Sequence, residues 1–288
     1  MKTLLLAALA IASPAAKPLT PPDLIAAAPA AAWRAIPPDD LLVIDLKSGA
    51  RIVIQLAPAF APIHVANLRA LARAHWWDGA AIYRVQDNYV AQWGHNDDRK
   101  FPAGVVAKPP AEYQRPLKGL HITRFPYRDS YAPLTGHAAG WPVAVKAGTA
   151  TLTHCYATVG VGRDLSPDTG TGGELYAIIS GAPRQLDRNI TIVGRVISGI
   201  EALSSLARGT EALGFYKERS SDVPIVATRL ASDIPAADRP NFEVMDTAST
   251  TFARLIRLRA NRHDDFYIRP AGGVDICNVP VPVRPVKR

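Results

Sequence analysis

Alternating apolar positions between residues 41 and 57 predict a β-hairpin. The segment reads LLVIDLKSGARIVIQLA, and side chains two residues apart share one face of a strand. Ser48 and Gly49 supply turn chemistry between the two halves. Each half therefore presents one apolar face, formed by Leu42, Ile44 and Leu46 and by Ile52, Ile54 and Leu56.

The apolar period changes to that of a helix in the next segment, FAPIHVANLRALARAHWWDG. Pro62 suits a first helical turn, and Gly79 suits an end. One apolar face is formed by Ala61, Val65, Leu68 and Ala72. The stretch AAIYRVQDNYVAQWG that follows predicts a strand, a turn and a second strand.

Further strands are predicted at residues 149–157, 174–180, 191–197 and 224–230, with a short helix at GIEALSSLA. Hairpins and loops, rather than regular βαβ units, separate most of these strands. The pattern therefore predicts a mainly β fold, an antiparallel barrel or sandwich with two helices packed on it.

Two proline-rich stretches interrupt this pattern. Residues 17–39 are rich in alanine and proline, which indicates a linker or a loosely packed arm. Residues 97–145 contain many prolines and glycines together with scattered aromatic residues. A connection of this length is a functional insertion or a disordered one, and the aromatic residues favour an ordered insertion.

The C-terminal extension, residues 233–288, has its own pattern. NFEVMDTASTTFARLIRLRANR predicts a helix, because Met245, Ala248, Phe252 and Leu255 follow a helical spacing. Acidic residues early and arginines late in this segment suit the helix dipole. The closing CNVPVPVRPVKR predicts an extended tail.

The N-terminus, MKTLLLAALAIASPAA, has the pattern of a secretory signal peptide, with cleavage after Ala12 or Ala16. A buried N-terminal helix is the alternative. No later segment has the length and apolarity of a membrane span, so we expect no stable membrane insertion. We therefore expect a protein exported to the periplasm.

Composition and charge narrow the function classes. The 288-residue chain is 48% hydrophobic and 20% charged, which suits a sizeable core. Its formal charge of +8 could reflect attraction to anionic envelope surfaces, while the scattered arginines and the expected export argue against nucleic acid. Cys155 and Cys277 are the only cysteines, and they could form a disulfide, or Cys155 could be a buried thiol.

One cation stands out. Arg84 lies between Tyr83 and Val85 in a strand that should bury its side chains. Simple alternation places Arg84 on the same face as Ile82. Either Arg84 lies at a sheet edge, or it faces a cleft in which a ligand supplies its partner.

The hairpin, the helix and YRVQDNYVAQWG together resemble the cyclophilin-type peptidyl-prolyl cis/trans isomerases. TLTHCYA resembles the strand before the family's active-site loop. GVGRDLSPDTGTGGELYAIIS resembles that loop and its next strand, and LDRNITIVGRVISGIEALSSL resembles the late strand and helix. The resemblance covers residues 40–232 and implies a closed eight-stranded antiparallel barrel capped by two helices.

The resemblance also implies roles for individual residues. Arg84 matches the catalytic arginine and Gln92 the glutamine that binds the substrate backbone. The proline pocket and the peptide groove would be formed by Tyr89, Val90, Tyr176 and Leu186, by Glu174, and by Cys155, Tyr156 and Ala157 alongside the bound peptide. No cofactor and no metal are implied, and the partners would be proline-containing segments of exported proteins.

The chain departs from the family pattern at several positions. Gln185 stands where many members have tryptophan, Ile190 where a histidine is common, Glu174 where many have glutamine, and Trp93 replaces a glycine. These changes predict a proline-binding groove with weakened or altered isomerase activity. Three hypotheses follow: an isomerase that assists folding of exported proteins, a proline-peptide binding or chaperone module with little turnover, and a structural envelope protein that reuses the barrel.

Overall fold

The computed structural model of the protein describes residues 18–95, 97, 99–264 and 266–286. The signal peptide predicted at residues 1–16 lies outside this range. The helices are α1 (Pro21–Ala26), α2 (Pro62–Arg73), α3 (Glu201–Ser204) and α4 (Thr250–Ala260). The strands are β1 (Trp33–Ala35), β2 (Leu41–Leu46), β3 (Arg51–Leu56), β4 (Ala81–Val85), β5 (Val90–Gly94), β6 (Arg115–Pro116), β7 (Thr123–Arg124), β8 (Leu134–Ala138), β9 (Trp141–Lys146), β10 (Thr149–Leu152), β11 (Thr158–Val161), β12 (Leu175–Ile178), β13 (Ile192–Ser198), β14 (Val223–Leu230), β15 (Phe242–Met245) and β16 (Val283–Pro285).

Eight antiparallel strands form a closed barrel in the order β11-β12-β5-β4-β14-β2-β3-β13. The predicted hairpin and the predicted helix α2 are confirmed, and the apolar faces predicted for both lie in the barrel core. Val65 and Leu68 of α2 and Leu203 of α3 are fully buried against this core, so the two helices cap the barrel. Among the described residues, no helix combines the length and apolarity needed to cross a membrane.

The long segment between β5 and β11 folds as a five-stranded sheet of its own, in the order β6-β10-β9-β8-β7. This sheet continues beyond residue 145 to Leu152. The prediction of a barrel strand at residues 149–157 is therefore wrong. Thr149 to Leu152 pair with β9 across a tight turn at Ala147 and Gly148, and the barrel strand is β11. Alternation identifies a strand but not the sheet that it joins.

The segment interpreted as a linker or loosely packed arm is packed against the C-terminal extension. Trp33 in β1 pairs with Met245 in β15, and β16 completes this three-stranded sheet. Only 6% of Trp33 is exposed, and the Arg284 guanidinium lies 4.1 Å from its ring centroid. The partner strand of this short segment lies about two hundred residues further along the chain, so the local pattern could not indicate it.

The predicted C-terminal helix begins later than the pattern suggested. Phe242–Met245 forms strand β15, and the helix starts at Thr250, where the Ser249 hydroxyl accepts a hydrogen bond from the Phe252 amide. Phe252 and Leu255 are fully buried in a second core below the barrel. A disulfide joins Cys155 to Cys277 and fastens the C-terminal extension to the chain just after β10.

Candidate active site

Four strands of the barrel bring Arg84, Gln92, Tyr176 and Gly160 into one row. In the strand registers, Arg84 is opposite Gln92, Gln92 is opposite Tyr176, and Tyr176 is opposite Gly160. Residues directly opposite each other in a sheet point to the same face. The neighbours of these residues along the strands, such as Ala91 and Leu175, point into the barrel core. The row therefore lies on the outer face of the barrel.

A β-bulge at Tyr83 turns Arg84 outward. Ile82 pairs with Trp93, Arg84 pairs with Gln92, and the register shifts between these two pairs. Tyr83 is thus an extra residue, and it interrupts the alternation of β4. The expectation that Arg84 shares a face with Ile82 is wrong for this reason: Ile82 is buried in the barrel core, whereas Arg84 faces outward.

The guanidinium of Arg84 is held by three neutral acceptors. Its Nε donates to the Leu213 carbonyl at 2.7 Å, one terminal nitrogen donates to Gln92 Oε1 at 2.9 Å, and the other donates to Gln86 Oε1 at 2.5 Å. The Phe215 ring lies against its other side, 5.5 Å away. Half-burial lowers the pKa of Arg84, which nevertheless keeps its charge. Of the five N–H groups of a guanidinium, two point to no acceptor among the described residues.

Gln92 is fixed from both sides of its amide. Its oxygen accepts from Arg84, while its nitrogen donates to the Tyr83 hydroxyl at 2.8 Å and to Glu174 Oε2 at 3.0 Å. These contacts assign the amide orientation, because only the oxygen can accept from a guanidinium. Burial is the main cause that raises the pKa of Tyr83, so this phenol stays neutral. Gln92 therefore fixes the position of one terminal nitrogen of Arg84.

An apolar cluster lies beside this polar pair. Its members are Tyr89, Val90, Tyr176, Ile178, Leu186 and Ile190. Val90 is opposite Ile178 in the sheet, two positions along from the Gln92–Tyr176 pair, so the cluster continues the same outer face. Ile190, which replaces a common family histidine, contributes an aliphatic wall. The site thus places a cation next to an apolar surface.

A buried polar network contacts the hydroxyl of Tyr176. His154 Nε2 lies 3.1 Å from the Tyr176 hydroxyl, and His154 Nδ1 lies 3.0 Å from Asp187. The Arg184 guanidinium forms ion pairs with both Asp187, at 2.5 Å, and Asp129 of the insertion, at 2.8 Å. All of these side chains are buried.

Gly160 allows the Tyr176 ring to lie flat across β11. A Cβ atom at Gly160 would stand 2.2 Å from the Tyr176 hydroxyl oxygen, a distance that excludes any side chain. The neighbouring Gly162 donates its amide to the Glu174 carbonyl at 2.9 Å. The segment that borders Gln92 and Tyr176 is therefore Gly160 to Gly162.

Cys155, Tyr156 and Ala157, predicted to run alongside the peptide, do not reach this row. Cys155 is in the disulfide with Cys277, and all three residues face the C-terminal extension. Tyr156 is 47% exposed. The sequence interpretation had placed a barrel strand at residues 149–157, whereas the barrel strand of this region is β11.

The structure does bring together the other predicted residues, namely Arg84, Gln92, Glu174, Tyr89, Val90, Tyr176 and Leu186. It adds residues that sequence reasoning missed. Tyr83 reaches the site through the bulge, and the loop at residues 209–216 folds back on β4 through the hydrogen bond from the Tyr216 amide to the Tyr83 carbonyl. No sequence signal pointed to that loop. Within the described part of the chain, no group of three or more His, Cys, Asp or Glu residues could hold a metal ion.

The family model for cyclophilin-type peptidyl-prolyl cis-trans isomerases matches residues 41–230, which is most of the chain and all eight barrel strands. The chain belongs to this family. It is therefore an isomerase of the peptidyl-prolyl cis/trans class, and its barrel is a cyclophilin barrel.

Known cyclophilins agree with this assignment. The chain is 26% identical over 179 residues to a probable peptidyl-prolyl cis-trans isomerase of Brucella suis, which covers 61% of this chain and 75% of that protein. The corresponding protein of Brucella abortus is 25% identical over the same length and the same shares. The crystal structure of cyclophilin AquaCyp293 from Hirschia baltica has the same fold, with a TM-score of 0.69, 24% identity, and coverage of 88% of this chain and 93% of that one.

Proposed function

We propose that this cyclophilin isomerises X-Pro bonds of exported proteins at the Arg84 site. One observation carries the proposal: a fixed guanidinium, two of whose N–H groups have no acceptor among the described residues, lies beside an apolar cluster. A proline residue offers a matching pair of features, an apolar ring and an amide nitrogen. Bound polypeptide would place the ring against Tyr89, Val90 and Leu186.

The reaction requires a site that stabilises the twisted amide over the planar one. Amide resonance opposes rotation with a barrier of roughly 18–20 kcal/mol. In the twisted state the prolyl nitrogen becomes pyramidal and gains a lone pair that can accept a hydrogen bond. Arg84 would donate to this nitrogen and stabilise the twisted state over the planar one, with each ~1.4 kcal/mol giving tenfold in rate. Gln92 would hold the guanidinium in place and contact the substrate backbone.

Export supports the choice of substrate. The N-terminal pattern at residues 1–16 is that of a secretory signal, and the two cysteines form a disulfide. Disulfides persist in oxidising compartments such as the periplasm. Comparison of the periplasmic and cytoplasmic fractions of cells that express the full chain tests this part of the proposal, and recovery of an uncleaved protein in the cytoplasm would reject it.

Substitution of Arg84 tests the mechanism. We expect Arg84→Ala to lower kcat/KM for an X-Pro test peptide roughly tenfold to hundredfold, because a charge-assisted hydrogen bond is lost. Arg84→Lys should restore little of the lost kcat/KM, since a lysine cannot donate to Gln92 and Gln86 in the geometry of the guanidinium. Arg254→Ala, an exposed position on α4, is the matched control. Equal acceleration by wild type and Arg84→Ala would reject the role of Arg84.

A binding module with little turnover is the second candidate. It is favoured by the wall at Gln185 and Ile190, where the chain departs from the family pattern, and by the three internal hydrogen bonds that already hold Arg84. Calorimetry on the same peptide separates the two candidates. Binding without acceleration would support the module, whereas acceleration that depends on Arg84 supports the enzyme.

A further inference from the structure

A second cavity lies along β13 and the start of β11, and none of Arg84, Gln92 and Tyr176 lines it. Its volume is about 470 Å³. The barrel, the insertion sheet and the C-terminal extension each provide a wall. The disulfide between Cys155 and Cys277 closes one side. A cavity of this size suits a small organic ligand.

Most of the cavity wall is apolar, with Trp141, Leu152, Val196, Ile276 and Val281 among its side chains. Its charged residues are two arginines, Arg195 and Arg259. Among the described residues, no Asp or Glu side chain belongs to the lining. A cavity with cations and no anions in an apolar wall is unusual, because buried charges are normally paired.

Arg195 has only neutral partners among the described residues. Its Nε and one terminal nitrogen donate to Gln55 Oε1 at 3.1 and 2.8 Å, and the other terminal nitrogen donates to the Gly140 carbonyl at 2.9 Å. The Trp141 ring centroid lies 4.5 Å from the guanidinium carbon. Burial without a counter-charge lowers the pKa of Arg195 to about 10. The side chain is held rigidly while its charge is uncompensated.

Arg259 is less satisfied still. One terminal nitrogen donates to the Asn278 carbonyl at 3.3 Å. Its Nε is buried and has no hydrogen-bond partner within the part of the chain that the structure describes. Burial, followed by the nearby Arg262, lowers the pKa of Arg259. A buried donor left without a partner costs free energy, which an anion in the cavity would offset.

We propose that this cavity binds a small anion with an apolar body, namely a carboxylate or phosphate monoester on an aliphatic chain. The head group would take up the free donors of Arg195 and Arg259, since the guanidinium fork fits both kinds of oxyanion. The aliphatic chain would lie along the apolar wall. This site is independent of the peptide site, because the two share no residue.

Three probes with ten carbons, decanoate, decyl phosphate and decanol, and the short anion acetate test the proposal by calorimetry on the full oxidised chain. We expect decanoate or decyl phosphate to bind, and the tighter of the two identifies the head group. Decanol lacks the charge and acetate lacks the body, so both should bind at least about tenfold more weakly. Failure of both long-chain anions, or equal binding of decanol, would overturn the proposal.

Variants then locate the ligand. Arg259→Gln should weaken binding of the anion about tenfold or more, while Arg257→Gln, exposed on the same helix, should leave it unchanged. Val281→Phe places a larger side chain in the cavity and should abolish binding. Circular dichroism and intact disulfide content verify that each variant is folded. Unaltered affinity in both Arg259→Gln and Val281→Phe would place the ligand elsewhere and overturn the assignment.

Discussion

His154 Nε2 lies 3.1 Å from the hydroxyl of Tyr176. This hydrogen bond joins the apolar cluster of the active site to a buried chain of charges that ends at Asp129, in the insertion. The insertion thus contacts the candidate active site through this chain of buried side chains.

Tyr176→Phe should test this connection. The variant keeps the ring but leaves His154 Nε2 without its partner, which should lower the free energy of unfolding by about 1–3 kcal/mol. We also expect KM for an X-Pro peptide to rise, because the ring loses its anchor. Urea unfolding and peptide kinetics measure both effects. Tyr156→Phe removes an exposed hydroxyl and is the control. A change of similar size in that control would contradict the interpretation.

Asp129→Ala should be strongly destabilising. It removes one of the two carboxylates that pair with the buried Arg184 guanidinium, and breaking a buried pair costs about 3–5 kcal/mol. By contrast, Asp87→Ala removes an exposed partner of Arg208 and should cost at most about 1 kcal/mol. Urea unfolding compares the two variants. Equal losses would show that the Arg184 network contributes nothing beyond a surface ion pair.

Stability should fall below pH 6.5 because of His137. Burial, followed by the charge of Arg195, lowers the pKa of His137 to about 3, and neither ring nitrogen has a partner among the described residues. Above pH 6.5 the His137 imidazole is neutral in both the folded and the unfolded state. Between there and about pH 3 only the unfolded state binds the proton, so the free energy of unfolding should drop by about 1.4 kcal/mol per pH unit.

Urea unfolding at pH 7, 6 and 5 measures this slope. His137→Leu should reduce the slope by the contribution of about one proton taken up on unfolding. His121→Leu, at an exposed position, should leave the slope as in the wild type. Identical slopes in wild type and His137→Leu would mean that His137 does not titrate as proposed.

Loss of the disulfide should destabilise the chain, since Cys155 and Cys277 are 122 residues apart in sequence. Closing a loop of this length restricts the unfolded state, so Cys277→Ser should lower the free energy of unfolding by about 2–5 kcal/mol. Reductant should destabilise the wild type and leave Cys277→Ser unaffected. A reductant effect of equal size in both would point to a cause other than this bond.

Most strands of the barrel could be predicted from the sequence because their signals are local. The β2–β3 hairpin and helix α2 each carry a complete period and a turn or first-turn residue within about twenty positions. Strands β12, β13 and β14 are likewise confirmed. The resemblance to the family pointed to Arg84, Gln92, Tyr89, Val90, Tyr176 and Leu186, which lie in two short stretches, residues 84–92 and 176–186.

The errors have a different origin, in pairing over long sequence distances. β10 has the alternation of a barrel strand but joins the insertion sheet, which displaced the predicted peptide segment to Cys155–Ala157. β1 and β15 are short, and in the described residues β1 pairs with β15 alone, while β15 also pairs with β16. Their registers depend on tertiary contacts, which propensity does not encode.

The bulge at Tyr83 has a consequence for how such a site is conserved or lost. One extra backbone position in β4 decides that Arg84 faces the outside of the barrel while Ile82 and Val85 face the core. In a regular strand with the same residues, Arg84 would share the face of Ile82 and its guanidinium would turn toward the barrel interior, although the arginine, the glutamine and the apolar cluster would all still be present in the chain. Activity here is therefore a matter of residue spacing as much as of residue identity.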